Sequence, residues 1–439
     1  MLLDGILPDT ASTATNGHLL VGGCDVVHLA EQFGTPLYVY DEATIRNRAR
    51  AYRDTLSQAY QGGSSRVCYA AKAYCAPWLL RIINEEGLSL DVVSGGELHV
   101  ARGVGFPPER IYFHGNNKSE EELGQALDAG VGRVVVDNVD EIDRLGRLAA
   151  ARGQRQKVLL RITPGVEAHT HEHIKTGVLD TKFGLNLELG AAEHGVRAAL
   201  AHPGLHLVGL HMHIGSQIFD LEPYRVAIQR VFAFAADMRN RYDLALEELS
   251  LGGGFGMRYT PLDHPQPLPE VTRGLAEAVL DAAEEHRFDH PLPAIIIEPG
   301  RSIVGPAAVA LYRVGSIKEI QGVRTSVAVD GGMADNIRPT TYGAVYSALL
   351  ANRADEPPST TVAVAGKYCE SGDILIREAA LPPARVGDLV ALPGSGAYNL
   401  AMSSNYNMAT RPAVVAVVNG QARLVRRRET YADLLRNEL

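Results

Sequence analysis

Residues 66–94 read "RVCYAAKAYCAPWLLRIINEEGLSLDVVS", and how this stretch is parsed decides the fold. It opens on a short apolar run, "RVCYAAKA" (66–73), and closes on another, "LSLDVVS" (88–94), with a longer amphipathic segment between them. A short apolar strand followed by a helix of about ten residues or more is the signature of a βα unit. The alternation continues through "RIYFHG" (110–115), "RVVVDN" (133–138), "KVLLRITP" (157–164), "LHLVGLHMHIG" (205–215), "LEELSLGGG" (246–254) and "AIIIEPGR" (294–301). Helical stretches separate these runs, among them "SEEELGQALDAG", in which Ser119 and Glu122 form a capping box.

Eight such units predict an α/β fold, a closed (βα)8 TIM-type barrel over residues 36–305, because eight parallel strands close around an interior that side chains can fill. A doubly wound parallel sheet is the competing arrangement. After residue 305 the period changes. "AVALYRVGSIKEI", "RTSVAVDGG", "TTVAVAGKYC", "DILIREAAL", "GDLVALPG" and "AVVAVVNGQARLVRR" are short β-type runs joined by turns. They predict a second, mostly β domain (sandwich or barrel) over 306–439. Residues 1–35 lack barrel character and are expected to pack with it.

The composition sets outer bounds. The chain has 439 residues, 46% hydrophobic and 21% charged, which suits two folded domains rather than one core. Its 42 basic and 51 acidic residues give a formal charge of −9, which argues against nucleic acid or an anionic membrane as the main partner. The four cysteines (Cys24, Cys68, Cys75, Cys369) form no CxxC pair, so neither a disulfide framework nor a cysteine zinc site is favoured. No stretch resembles a membrane span or a signal peptide, and the chain reads as cytoplasmic and reduced.

Barrel enzymes place their chemistry at the carboxyl ends of the strands. There stand Lys72, Ser94, His114, Asn138, Arg161, His213 with Ser216, Gly252–Gly254, and Glu298 with Arg301. Lys72 ends an apolar run, where desolvation would lower the pKa of an amine and suit it to Schiff-base chemistry; a lysine snorkelling past the strand end is the plainer alternative. Gly252, Gly253 and Gly254 let backbone N–H groups approach a phosphate, or make a tight turn. They fall after the seventh strand, and Gly300–Arg301 after the eighth, the two loops that commonly form a phosphate site in barrels. His213 offers a flat ring for stacking, Ser216 a hydroxyl, and Glu298 a carboxylate near the barrel mouth. His169, His171 and His173 alternate in "EAHTHEHIKTG", but no HExxH or nearby cysteine accompanies them, and no metal is expected. A lysine, a phosphate cup, a stacking histidine and a carboxylate together suit pyridoxal 5'-phosphate, whose ring nitrogen the carboxylate would keep protonated.

The motifs "YAAKA", "DVVSGGEL", "FHGNNKS", "HEHIKTG", "KFGL", "GLHMHIGSQ", "GGGFG", "EPGR", "VDGGMADNIRP", "GKYCESGD", "GSGAY" and "NYN" run in order from about residue 35 to 410 and resemble the diaminopimelate decarboxylase family. The resemblance implies decarboxylation of meso-2,6-diaminopimelate to L-lysine and CO2, the last step of lysine biosynthesis, in a homodimer whose subunits share the active site. It implies Lys72 as the lysine that carries the cofactor, His213 stacked on its ring and Glu298 on its pyridine nitrogen. Ser216, Gly252–Gly254, Gly300, Arg301 and Tyr398 would surround the phosphate. Arg301, Arg338, Tyr342 and Tyr398 would hold substrate, Glu370 would meet the distal amino group, and Cys369 would be the proton donor, supplied from a second subunit. The chain departs from the family in Tyr74, where Asn is usual, in Thr181 of "TKFG" and in Ile337 of "DNIRP". The rivals are decarboxylases of the same group acting on ornithine, arginine or carboxynorspermidine, a racemase of the same architecture, and a non-catalytic cofactor-binding relative. Arg338 suits a carboxylate at the far end of the substrate. A non-catalytic relative would be expected to lack Lys72 or Cys369.

Overall fold

The computed structural model describes residues 3, 5–166, 182–188 and 190–439. Eight parallel strands form the expected barrel: Ser65–Ala70, Ser89–Val92, Ile111–Phe113, Arg133–Val136, Gln156–Thr163, Leu205–His211, Glu248–Ser250 and Ala294–Ile297. Each pairs with the next, and the eighth returns to the first with Ile295 opposite Ser65, so the ring closes. A short strand, Leu185–Asn186, adds to the carboxyl end of the fifth. Cys68, Tyr112, Val135, Leu159, Val208 and Ile296, from six different strands, are at most 1% exposed and fill the interior as one packed cluster.

Nearer the amino ends of the strands the barrel is plugged by charge. Glu248, 5% exposed, accepts hydrogen bonds from Arg66 (2.6 Å) and Arg133 (3.0 Å). The Arg133 guanidinium also lies 5.5 Å from the centre of the Tyr112 ring. Burial opposes ionisation of Glu248, but the two guanidiniums outweigh it and hold the carboxyl below its ordinary range.

The strands stop earlier at their carboxyl ends than the apolar runs do, because the following polar residues start helices and turns. Lys72 lies on a 3-10 turn, Ala71–Ala73. Ser94 and Asn138 are N-caps: Ser94 Oγ accepts from the Glu97 N–H (3.2 Å), and Asn138 Oδ1 from the Glu141 N–H (2.9 Å). Ser119 and Glu122 make the reciprocal capping box read from the sequence.

The chain divides into two compact units, Arg48–Gly256 with Pro265–Gly300, and Met1–Asn47 with Met257–His264 and Arg301–Leu439. The limit at residue 36 therefore moves. Strand Leu37–Asp41 belongs to the second unit, antiparallel to Ala308–Ile320 and parallel to Ala413–Val418. All five of its residues are buried, and a strand buried on both faces carries the same uniform apolar signature as a barrel strand. Strands Arg324–Val329, Leu349–Leu350, Thr360–Ala365, Ile374–Leu381, Leu389–Pro393 and Gln421–Arg426 complete the main sheet. Leu7, Leu19 and Val21 share a buried cluster with Val39, Val309, Leu389 and Val415. Among the described residues no helix is long and apolar enough to cross a membrane.

Glu248→Ala leaves Arg66 and Arg133 without their shared carboxylate and should cost about 3 kcal/mol in denaturant unfolding. The folded-state pKa of Glu248 is depressed, so its contribution is present above the ordinary carboxylate range and lost as pH falls through the folded value. Glu248→Gln should accordingly flatten the acid side of the stability profile; an unchanged slope would contradict this assignment.

Candidate active site

A cavity of about 330 Å3 opens at the carboxyl ends of the barrel strands, lined by Lys72, Asp91, His114, Arg161, His213 and Glu298 among others. Lys72 reaches it from the turn after the first strand, and its side chain is exposed. Glu298 follows the eighth strand and is 6% exposed. It accepts hydrogen bonds from Ser250 Oγ (2.7 Å), at the end of the seventh strand, and from His211 Nε2 (3.1 Å), at the end of the sixth. His114 Nε2, just past the third strand, lies 3.6 Å from the other side of the carboxylate arrangement, at Oε1. Burial works against the charge on Glu298, but His211, His114 and the donated hydrogen bonds overcome it and hold the carboxyl well below the usual range. Asp91, also buried, goes the other way: burial and the nearby Glu298 charge raise its pKa well above the usual value.

His213 is half-buried on the loop that follows the sixth strand, and its Nδ1 accepts from the backbone N–H of Gly253 at 3.2 Å. Nδ1 is then unprotonated and the ring neutral, with its proton on Nε2. Burial, reinforced by the charge on Lys72, lowers the imidazole pKa well below its ordinary value, in keeping with this tautomer.

The glycines are demanded by close backbone approach. A Cβ on Gly252 (φ +72°) would lie 2.3 Å from Met212 O, on Gly253 2.1 Å from Glu298 O, and on Gly254 (φ +100°) 2.3 Å from Gly215 O. A Cβ on Gly300 would press within 2.9 Å of Ala70. The three loops that carry His213, the glycines and Glu298 are therefore packed backbone to backbone. This is a cradle that fits pyridoxal phosphate: an ionised carboxylate for a ring nitrogen, an amine at the wall, a flat neutral imidazole and a side-chain-free loop. Ser216 lies half-buried on the same loop as His213.

His114, His211 and Glu298 also bring three donor atoms within 4.8 Å of one another. As a metal centre the trio is poorly supported, since His211 Nδ1 has no hydrogen-bond partner among the described residues and a ligating imidazole ordinarily donates from its second nitrogen. His169, His171 and His173 lie outside the described residues. Tyr74, the departure nearest Lys72, is 4% exposed and packs edge-on to Trp78 with ring centres 6.4 Å apart. Its backbone carbonyl accepts from Tyr69 OH.

The remaining expected residues belong to the second unit. Arg301 (9% exposed) donates to Tyr259 OH (2.8 Å) and stacks 4.7 Å from the centre of the Tyr398 ring. Arg338 (7% exposed) lies 4.8 Å from the Tyr259 ring centre and donates to Tyr346 OH. Tyr259 thus sits between two guanidiniums; burial raises its pKa, but Arg301 and Arg338 prevail and lower it. Tyr342 ends the short helix Arg338–Tyr342 and is half-buried. Cys369 and Glu370 are exposed on the loop between Thr360–Ala365 and Ile374–Leu381. The Cys369 N–H donates to Asn407 Oδ1 (2.9 Å), and Tyr406 OH to Cys369 O (3.4 Å).

Several contributors were not singled out from the sequence. His211 precedes His213 by two residues on one strand run, and "HMH" was the signal that could have found it. Ser250 and Asp91 lie inside apolar runs without a distinguishing pattern. Tyr259 and Tyr346 carry no local signal, because only folding brings these loop residues to Arg301 and Arg338.

Comparison with known proteins gives this geometry a family. The family model described as pyridoxal-dependent decarboxylase, pyridoxal binding domain, matches residues 42–305, more than half of the chain. Diaminopimelate decarboxylase of Bacillus subtilis is 50% identical over 433 residues, covering 99% of this chain and 98% of that one. The Mycobacterium tuberculosis diaminopimelate decarboxylase is 45% identical over 447 residues, covering 100% and 98%. A crystal structure of diaminopimelate decarboxylase from M. jannaschii in complex with L-lysine superimposes with a TM-score of 0.90 at 33% identity, covering 98% of each chain. On matches of this length and depth, the chain belongs to the diaminopimelate decarboxylase family of pyridoxal-dependent decarboxylases.

Proposed function

We propose that the protein is a pyridoxal-phosphate-dependent carboxy-lyase that converts meso-2,6-diaminopimelate to L-lysine and CO2, the last step of lysine biosynthesis. The observation that carries this reading is Glu298: a buried carboxylate kept ionised beside a lysine amine and a neutral imidazole in one cavity. When bound, pyridoxal phosphate supplies an electron sink for the pair left behind as CO2 departs. The protein's part is orientation and electrostatics. Lys72 Nζ would hold the cofactor covalently, and the fixed negative charge of Glu298 would keep a proton on the ring nitrogen. His213, locked as the Nε2–H tautomer by Gly253, would support the ring face without adding charge. Gly252–Gly254, Ser216, Gly300, Arg301 and Tyr398 would receive the phosphate.

The second unit would recognise the substrate. Arg338, Arg301 and Tyr342 offer a carboxylate planar guanidinium forks and a hydroxyl, and Glu370 offers a distal ammonium the opposite charge. Cys369 carries a thiol proton that can be delivered to the carbon that loses CO2. The exposure of Cys369 and Glu370 suits delivery from a second copy of the chain, in a cytoplasmic homodimer with shared sites.

Purified protein supplied with pyridoxal phosphate should release CO2 from meso-diaminopimelate and not at comparable rates from ornithine or arginine; no release from diaminopimelate would overturn the assignment. Glu298→Gln should keep bound cofactor yet lose about 100- to 1,000-fold in kcat, and a loss under tenfold would contradict the role of its charge. Lys72→Ala and Cys369→Ala homodimers should each be inactive. Random mixing of the two chains should restore about a quarter of wild-type activity, since half the dimers then carry one intact shared site. No recovery on mixing would place both residues in a site built from one chain.

A further inference from the structure

In "FHGNNKS" (113–119), Lys118 has no part in the proposed reaction, yet it is 1% exposed. Its ammonium lies 2.6 Å from Glu141 Oε1, itself on a residue 0% exposed, and donates to the carbonyls of Gly115 (2.6 Å) and Val135 (3.0 Å). The ammonium thus donates to two backbone carbonyls and is paired, charge to charge, with the Glu141 carboxylate. A buried ion pair is a poor source of stability, because apolar residues of similar volume often do as well or better. Its geometry is more informative.

Val135 lies in the fourth barrel strand and Glu141 in the first turns of the following helix, Val139–Ala151. Lys118 ties these two fixed elements to the carbonyl of Gly115. Asn138, the cap of the same helix, makes a second tie, its Nδ2 donating to Asn116 O at 3.2 Å. Gly115 and Asn116 line the cavity beside Lys72 and Glu298, immediately after His114. Gly115 has φ +114°, a conformation open to glycine, so the loop has little stiffness of its own. Its shape at the cavity wall is imposed from behind.

We propose that Lys118, held by Glu141, is a positioning residue that sets the Gly115–Asn116 wall of the cofactor cavity and the seat of His114 beside Glu298. The inference rests on the reading that this cavity takes pyridoxal phosphate. The test is equilibrium binding of pyridoxal phosphate to the apo-protein, followed by the absorbance of bound cofactor, alongside the Tm of each apo variant. Lys118→Met strands the Glu141 carboxylate and should lower Tm by roughly 5 °C or more. The double variant K118M/E141M removes both charges and should regain Tm to within roughly 2 °C. It should nevertheless bind cofactor at least about tenfold more weakly, since the Gly115 carbonyl has lost its donor. Wild-type affinity in the folded double variant would overturn the proposal and reduce the ion pair to a structural element. Should that variant not fold, E141Q decides instead. It keeps the volume of the Glu141 side chain but removes the charge that holds Lys118, and wild-type affinity there would equally overturn the proposal. Failure of the wild-type protein to bind the cofactor would be a different result, removing the functional reading itself.

Discussion

The carboxylate of Glu298 is the point on which the barrel's chemistry turns. A buried negative charge costs several kcal/mol unless it is paired and hydrogen-bonded. Here the compensation comes from three other strands: His211 from the sixth, Ser250 from the seventh and His114 from just past the third. None of these residues is near Glu298 in sequence. They meet only because eight strands close in one register, and the charge exists at neutral pH only because they meet. The barrel is thus the device that holds a proton off this carboxyl, the condition that its proposed pairing with a ring nitrogen requires. The glycine loop belongs to the same construction, since Gly253 both touches the Glu298 backbone and donates the hydrogen bond that sets the His213 tautomer.

The second unit solves a different problem, the anchoring of the loops that carry the residues proposed to meet substrate. Asp373, 3% exposed, accepts from the Met333 N–H (2.7 Å) and the Tyr368 N–H (2.8 Å). It therefore joins the loop leading to Arg338 to the loop carrying Cys369 and Glu370. A Cβ at Gly332 or Gly366 would come within 2.5 Å or 2.1 Å of this carboxylate, which explains glycine at both places. Nearby, Tyr38 and Tyr312 both donate to Asp335 Oδ2, at 3.2 Å and 2.5 Å. Burial raises the pKa of Asp335 to about 6 even so. Arg338 follows Asp335 by three residues, so its helix starts from a loop that two tyrosines anchor to the sheet.

Much of this could be read before folding. The βα alternation predicts the barrel, and the polar residues ending its strands mark the cavity, although Ser94 and Asn138 cap helices. The eight strand-end positions do not separate caps from site residues, because a serine or asparagine after a strand looks the same in either role. The limit at residue 36 was misplaced for a related reason: "LYVYD" is buried on both faces, and apolar uniformity does not reveal which sheet it joins. His211, Ser250, Tyr259 and Tyr346 act through contacts between residues distant in the chain. The roles proposed for Cys369, Glu370 and Arg338 come only through resemblance to relatives, since an exposed thiol has no signature of its own.

The most direct test of the central claim is a crystal structure of the protein loaded with pyridoxal phosphate. The account predicts a hydrogen bond from the ring nitrogen to Glu298, with Lys72 joined to the cofactor, His213 against the ring and the phosphate on Gly252–Gly254. A ring nitrogen facing solvent or another side chain, with Glu298 engaged only by His211 and Ser250, would contradict it.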